Sequence, residues 1–159
     1  MGTYFLDTSA VVKCYVPEQG QAWIMALCDP ARSHDLYISQ AALVEVVAAI
    51  CKKARERSIT IADRDKLIGI FRQDIQNVYG IWLVTTDIYT SAGDLCLSHG
   101  LRAYDAVQLA CARSLREDTQ AKQIPPPTFV CADINLINVA TAEGLSVENP
   151  NNHSDASQE

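Results

Sequence analysis

An apolar run that stops on an acid constrains this chain most: Thr3-Tyr4-Phe5-Leu6, followed at once by Asp7-Thr8-Ser9-Ala10. Three apolar residues in a row, two of them aromatic, predict a short strand buried on both faces, the environment of a parallel sheet covered by helices. Asp7 ends that strand, and the hydroxyl residues Thr8 and Ser9 follow as candidates to start a helix. In open α/β sheets, ligands sit in the crevice outside the carboxyl ends of the strands, where Asp7 falls. Glu45, Asp105 and Asp133 are placed in a similarly unusual way, and the expectation is that the four carboxylates meet around Asp7.

The remaining pattern alternates between helix and strand. Residues 10–16 read as a short helix stopped near Pro17, and residues 21–28 as a second helical run. Leu36-Tyr37-Ile38 is a brief strand, with Ser39 a candidate cap. Over residues 40–57 a long helix is predicted, with Leu43, Val47, Ile50 and Ala54 as its apolar stripe. Glu45 lies off that stripe, among Ala41, Ala42, Ala48 and Ala49 one turn away, and such small residues leave a hollow beside a carboxylate. Thr60 caps the next helix, with Asp63 in its first turn and Leu67, Ile68, Phe71, Ile75 and Val78 as its buried face. The two helices together read as a hairpin inserted into the alternation.

Beyond them, residues 81–84 form a third strand, and Ile88, Ala92, Leu95 and His99 mark one side of a helix finished by Gly100. Another helix runs from Leu101 to about residue 118, and residues 128–132 form a fourth strand with Asp133 at its end. A helix through residue 140, Gly144 and an edge strand at 145–147 complete the domain, placed at residues 1–148. Residues 149–159 are almost wholly polar and are expected to be a disordered tail.

With 159 residues and 48% hydrophobic content, the chain has enough apolar side chain for one real core. A net charge of −6 argues against a broad basic surface for duplex DNA, but it does not exclude a nucleic-acid substrate, because cations bound at one site would neutralise clustered acids. No stretch approaches a membrane span and no signal peptide is visible, so a cytoplasmic protein is expected. The six cysteines, Cys14, Cys28, Cys51, Cys96, Cys111 and Cys131, are scattered and form no C-x-x-C pair, which favours buried reduced thiols over disulfides.

Four segments, Leu6-Asp7-Thr8-Ser9-Ala10, Leu43-Val44-Glu45-Val46, Leu101-Arg102-Ala103-Tyr104-Asp105-Ala106 and Phe129-Val130-Cys131-Ala132-Asp133, occur in the order and approximate spacing of the PIN domain. Within it, the chain resembles the VapC-type toxins of toxin–antitoxin pairs, over residues 4–147. The resemblance implies a three-layer α/β/α fold with a central, mainly parallel sheet of four to five strands. It also implies a metal-dependent endoribonuclease built on Asp7, Glu45, Asp105 and Asp133, a small antitoxin partner, and a homodimer or toxin–antitoxin hetero-oligomer. Many relatives carry Ser or Thr where this chain has Cys131.

The residues themselves accommodate that chemistry. Hard cations such as Mg²⁺ or Mn²⁺ take oxygen ligands and keep several waters, so a few carboxylates suffice. Such an ion generates a nucleophile from water and stabilises the charge of a phosphodiester displacement. Each acid also has a purely structural reading: Asp7, Asp105 and Asp133 as helix caps, Glu45 as a helix-face ion pair. Thr8 and Ser9 are candidates to hold Asp7 or a metal-bound water, and Asn135 to touch such a water, although a cap is favoured for Asn135. Arg102 and Lys13 are candidates to face a phosphate or, equally, to pair locally.

Other site types fit less well. A haloacid-dehalogenase phosphatase needs an acid where Ser9 stands, and a phosphoacceptor receiver needs a lysine after the last strand, where Asp133 stands. There is no P-loop, no G-x-G-x-x-G and no nucleophile-elbow sequence, and His34, His99 and His153 lack metal-ligand spacing. Two alternatives stay open: a catalytically weak PIN fold that binds RNA or protein, and a structure-specific DNA nuclease.

Overall fold

The computed structural model describes residues 1–153. Five strands, β1 (Thr3–Leu6), β2 (Asp35–Ser39), β3 (Gly80–Trp82), β4 (Thr128–Val130) and β5 (Ser146–Glu148), form one all-parallel sheet in the order β3-β2-β1-β4-β5. Helices cover both faces. α1 (Thr8–Val11), α2 (Gln21–Leu27), α3 (Ala42–Arg55) and α4 (Ile61–Asn77) lie on one side, and α5 (Thr86–His99), α6 (Ala103–Ala121) and α7 (Ile134–Ala142) on the other.

Strand alternation sorts side chains into the two cores. Phe5 and Phe129 face α5, α6 and α7 with ring centroids 6.1 Å apart, while Leu6, Val130, Leu36 and Ile38 face α1 to α4. Full burial of each such side chain contributes about 1.5–3 kcal/mol, which is why so short a strand as β1 can hold the centre of the sheet. The hairpin of α3 and α4 forms as expected, and Thr60 closes a reciprocal capping box with Asp63. Phe71 is its fully buried anchor, packed edge-on against Tyr15, whose hydroxyl donates to Asp74 Oδ2 at 2.7 Å.

Several boundaries and packing assignments differ from expectation. The short helix after β1 is α-helical only to Val11 and continues as a 3-10 turn, Val12–Cys14. On α3 the fully buried stripe is Ala42, Val46 and Ile50, with Leu43 and Val47 only partly covered, because the helix is rotated to face the sheet and α4 together. Of the cysteines, Cys111 and Cys131 are buried while Cys14, Cys28, Cys51 and Cys96 are half-buried, and all six are free thiols.

Residues 149–153, expected to open a disordered polar tail, are instead packed on the domain. Pro150–Asn152 forms a 3-10 turn with Pro150 buried, Gln19 Nε2 donates to the Asn151 carbonyl at 2.9 Å, and His153 stacks on Trp23 at 4.3 Å. Pro150 and His153 contribute apolar or planar surface that a reading by polar composition overlooks. The rest of that tail lies outside the described residues. Among the described residues, no helix is long and apolar enough to cross a membrane.

Connectivity determines where a site can form. From β1 the chain steps outward through β2 to β3, then returns by α5 and α6 to place β4 on the other side of β1. Crossovers therefore leave β1 and β4 on opposite faces, and a crevice opens at their carboxyl ends. Leu6 pairs with Val130, and Asp7 N–H donates to the Val130 carbonyl at 2.9 Å.

Candidate active site

Asp7 sits at that crevice, 4% exposed, with extended backbone that ends β1 and caps α1. The cap is made by Asp7 rather than by the hydroxyls expected to start the helix: its Oδ2 accepts from Ser9 N–H at 3.2 Å and from Ser9 Oγ at 2.6 Å. Ser9 Oγ in turn accepts from Ala132 N–H at 2.9 Å, tying the first turn of α1 to the end of β4. Cys131 Sγ donates to the same Oδ2 at 3.4 Å, so the thiol occupies the place a hydroxyl would take, as a weaker donor. Burial raises the Asp7 carboxyl above its ordinary range despite these bonds, which favour the charged form.

Glu45 projects from the first turn of α3, half-buried, and owes its orientation to a residue that sequence reasoning passed over. Gln108 lies in the middle of α6, 0% exposed, and its Nε2 donates to Glu45 Oε1 at 2.8 Å and to Thr8 Oγ1 at 3.0 Å. Both amide hydrogens are thereby used, while Oε1 of Gln108 is buried with no partner among the described residues. The overlooked signal is local: a polar amide inside Ala106-Val107-Gln108-Leu109-Ala110, three residues past Asp105, is costly to bury unless something needs its donors. Burial raises the Glu45 carboxyl, the Gln108 bond opposes this, and the charges of Asp7 and Asp105 raise it further.

Asp105 occupies the first turn of α6, behind Arg102, a helix N-cap that makes no side-chain capping bond. Its carboxyl is raised by burial first and then by the charges of Asp7 and Asp133, with Arg102 partly offsetting them. Asp133 follows β4, is exposed, and caps α7 by accepting from Leu136 N–H at 3.0 Å through Oδ1. That is the cap expected of Asn135. Asn135, two residues on in the first turn of α7, is exposed and does not line the cleft.

One open cleft of about 840 Å³ contains Asp7, Thr8, Ser9, Glu45, Arg102, Asp105 and Asp133 along its lining. The cleft thus brings all four predicted acids together with Thr8, Ser9, Arg102 and Lys13, and leaves out Asn135. Glu18 is a further lining residue that the sequence did not single out. It pairs with Lys13 at 3.3 Å and with Lys53 at 2.9 Å. Burial works against its charge, but the two lysines outweigh it and hold its carboxyl below the usual range. Lys13, 4% exposed, also donates to the Gln19 carbonyl at 2.9 Å, so of its two candidate roles it adopts the local pair.

The donor set is one of hard oxygens. The charges of Asp7 and Asp105 add to burial in raising the Glu45 carboxyl, and those of Asp7 and Asp133 do the same for Asp105, as expected of negative charges held near one another. Among the described residues, no three His, Cys, Asp or Glu side chains are drawn close enough to make a ready cage for a metal ion. Mg²⁺ and Mn²⁺ do not require one, since they keep several waters and are typically held by one or two carboxylates. The acids fit such an ion and do not fit a closed four-ligand zinc site.

The fold has counterparts among solved structures. The chain is similar to FitAcB from Neisseria gonorrhoeae (TM-score 0.59, 18% identity, 92% of this chain and 97% of that chain covered). A toxin–antitoxin complex from Klebsiella pneumoniae is similar at TM-score 0.57 and 15% identity, with 92% and 97% covered. VapBC2 from Rickettsia felis, bound to a DNA fragment from its promoter, gives TM-score 0.58 and 17% identity, with 92% and 98% covered. No curated protein matches the chain by sequence. The family model of the PIN domain matches residues 4–120, from β1 through nearly all of α6. That span carries Asp7, Glu45 and Asp105 on the elements described above, and the chain belongs to the PIN-domain family.

Proposed function

We propose that this protein is a Mg²⁺- or Mn²⁺-dependent endoribonuclease, the toxin of a toxin–antitoxin pair, acting in the cytoplasm. The observation that carries the proposal is the convergence of Asp7, Glu45, Asp105 and Asp133 on one open cleft at the switch point of a parallel sheet. Three of these carboxylates are raised by burial or by one another, an arrangement that costs stability and is characteristic of functional sites.

Asp7, Asp105 and Asp133 would hold the ion, with Glu45 beside them. When bound, the ion supplies Lewis acidity to a water and to the phosphodiester oxygens. The protein's own contribution is orientation and proton handling. Ser9 and Cys131 hold Asp7 Oδ2 in place, so its carboxylate faces the cleft without reorganisation. Glu45, held through Oε1 by Gln108, takes a proton from the attacking water, and burial, by raising its affinity for protons, makes it a stronger base for that role. Arg102, exposed at the cleft rim, binds a phosphate oxygen of the substrate.

The partner proposed is a small antitoxin with a basic segment, in a homodimeric or hetero-oligomeric assembly. Its support is the likeness to solved toxin–antitoxin complexes and the complementarity between a cleft lined by four acids, on a chain of net charge −6, and a basic peptide. The large apolar residues of the first two helices are engaged within the domain. Val12, Tyr15, Val16, Ile24 and Leu27 are core residues, and Trp23 is covered by His153.

The test is cleavage of RNA with Mn²⁺ by the wild-type protein and by Asp7→Asn, with circular dichroism of both. Asn preserves shape while removing the charge, so the variant is expected to be folded and inactive. A folded Asp7→Asn protein with full activity refutes the assignment.

A further inference from the structure

Two large apolar side chains stand exposed inside a cleft otherwise lined by charge. Tyr104 is 53% exposed and Val44 is 58% exposed, and each immediately precedes one of the acids, Asp105 on α6 and Glu45 on α3. The Tyr104 ring meets no aromatic partner, and its hydroxyl no hydrogen-bond partner, among the described residues. Neither side chain serves the core: the buried face of α6 begins at Ala106 and that of α3 at Ala42 and Val46. Ala48, also in the lining, keeps the α3 wall low beside Val44. The cleft therefore offers an apolar, partly aromatic flank directly beside its carboxylates.

A ligand that satisfies both halves carries an anion for the acid-and-cation floor and a flat apolar surface for the flank. A nucleotide has both, the phosphate at one end and the π-face of the base at the other. The base must be unpaired, because in a duplex its faces are covered by neighbours and the A-form grooves do not admit an aromatic side chain to them. We infer that Tyr104 stacks an unpaired nucleobase of the substrate adjacent to the scissile phosphate, with Val44 adding apolar surface to the same cleft. This rests on the nuclease reading above. Tyr104 acts here as a positioning residue, seating the base and through it the phosphate.

The experiment is steady-state cleavage with Mn²⁺ of a fluorescein-labelled, mixed-sequence single-stranded oligoribonucleotide, and of the same strand annealed to its complement. Wild type, Tyr104→Phe, Tyr104→Leu and Tyr104→Ala are compared. The site is exposed, so all four are expected to share one circular dichroism spectrum. Loss of a base–aromatic stack raises KM in Tyr104→Ala by about 5- to 150-fold with little change in kcat, and Tyr104→Phe stays near wild type because it keeps the π-face. Tyr104→Leu, apolar without a π-face, falls with Ala. The annealed strand is cut poorly by every variant. A wild type that cuts the single strand alongside an unimpaired Tyr104→Ala overturns the stacking role and leaves the nuclease assignment standing. Equal damage in Tyr104→Phe and Tyr104→Ala, or equal cutting of the duplex, also overturns it. A wild type that neither binds nor cuts the single strand overturns both readings.

Discussion

Replacing Gln108 by Leu separates the fold from the proposed chemistry more sharply than any change to the acids. Leucine is close to glutamine in size and suits the apolar middle of α6, where Gln108 is 0% exposed. The substitution removes the 2.8 Å bond to Glu45 Oε1 and the 3.0 Å bond to Thr8 Oγ1. A bond to a charged acceptor contributes about 1.5–3 kcal/mol and a neutral one about 0.5–1.5 kcal/mol. Against this, the substitution also removes Oε1, a buried acceptor without a partner among the described residues, relieving a cost of about 1–3 kcal/mol. The Thr8 hydroxyl remains as a second hydrogen-bonding group for Glu45. The net destabilisation is then about 1–2 kcal/mol, a fall in melting temperature of roughly 2–4 °C per kcal/mol for a domain of this size.

Activity responds differently. Without Gln108, the Glu45 carboxyl moves still further above its ordinary range, because the bond that opposed burial and the neighbouring charges is gone. Cleavage is expected to fall at neutral pH, and the acid limb of the pH–rate profile to shift to higher pH, so that activity recovers in part as pH is raised. The assays are urea unfolding and RNA cleavage with Mn²⁺ between pH 5 and about 9. A stable Gln108→Leu protein with the wild-type profile refutes the reasoning that Gln108 positions Glu45.

Three further outcomes are expected. Because the folded-state carboxyls of Asp7, Glu45 and Asp105 are raised, the folded state holds their protons more tightly than the unfolded one; their contribution is favourable below the ordinary carboxylate range and is lost as pH rises through the raised values. In chelator, Asp7→Asn should therefore gain stability relative to wild type between pH 4 and pH 7, and a constant difference across that range would contradict the burial of the charge. Millimolar Mg²⁺ or Mn²⁺ should raise the wild-type melting temperature through binding linkage, less so in Glu45→Gln and Asp133→Asn, with calorimetry as the check. Gly20→Ala should destabilise by about 1–3 kcal/mol and alter Trp23 fluorescence, since Gly20 has φ +80° and an added Cβ collides with the Pro150 carbonyl; a wild-type melting curve would show the clamp to be dispensable.

Much of the design is local and can be read along the chain. A doubly buried strand needs consecutive apolar residues, so Tyr4-Phe5-Leu6 announces a covered parallel sheet, and Thr60 with Asp63 announces a helix start, because both signals act within a few residues. The four acids that line the cleft each lie, in the sequence, at an element boundary or among small residues, which is what drew them out as candidates. Tertiary structure alone decided what touches them. Gln108 meets Glu45 and Thr8 across separations of 63 and 100 residues, and Cys131 reaches Asp7 across 124. No periodicity encodes those distances. Asp133 rather than Asn135 caps α7, and Lys13 pairs with Glu18, because each choice depends on how the chain turns after the strand or helix. His153 belongs to the fold only because β5 delivers it onto Trp23; local composition records which residues are polar, and packing decides which of them are nonetheless covered.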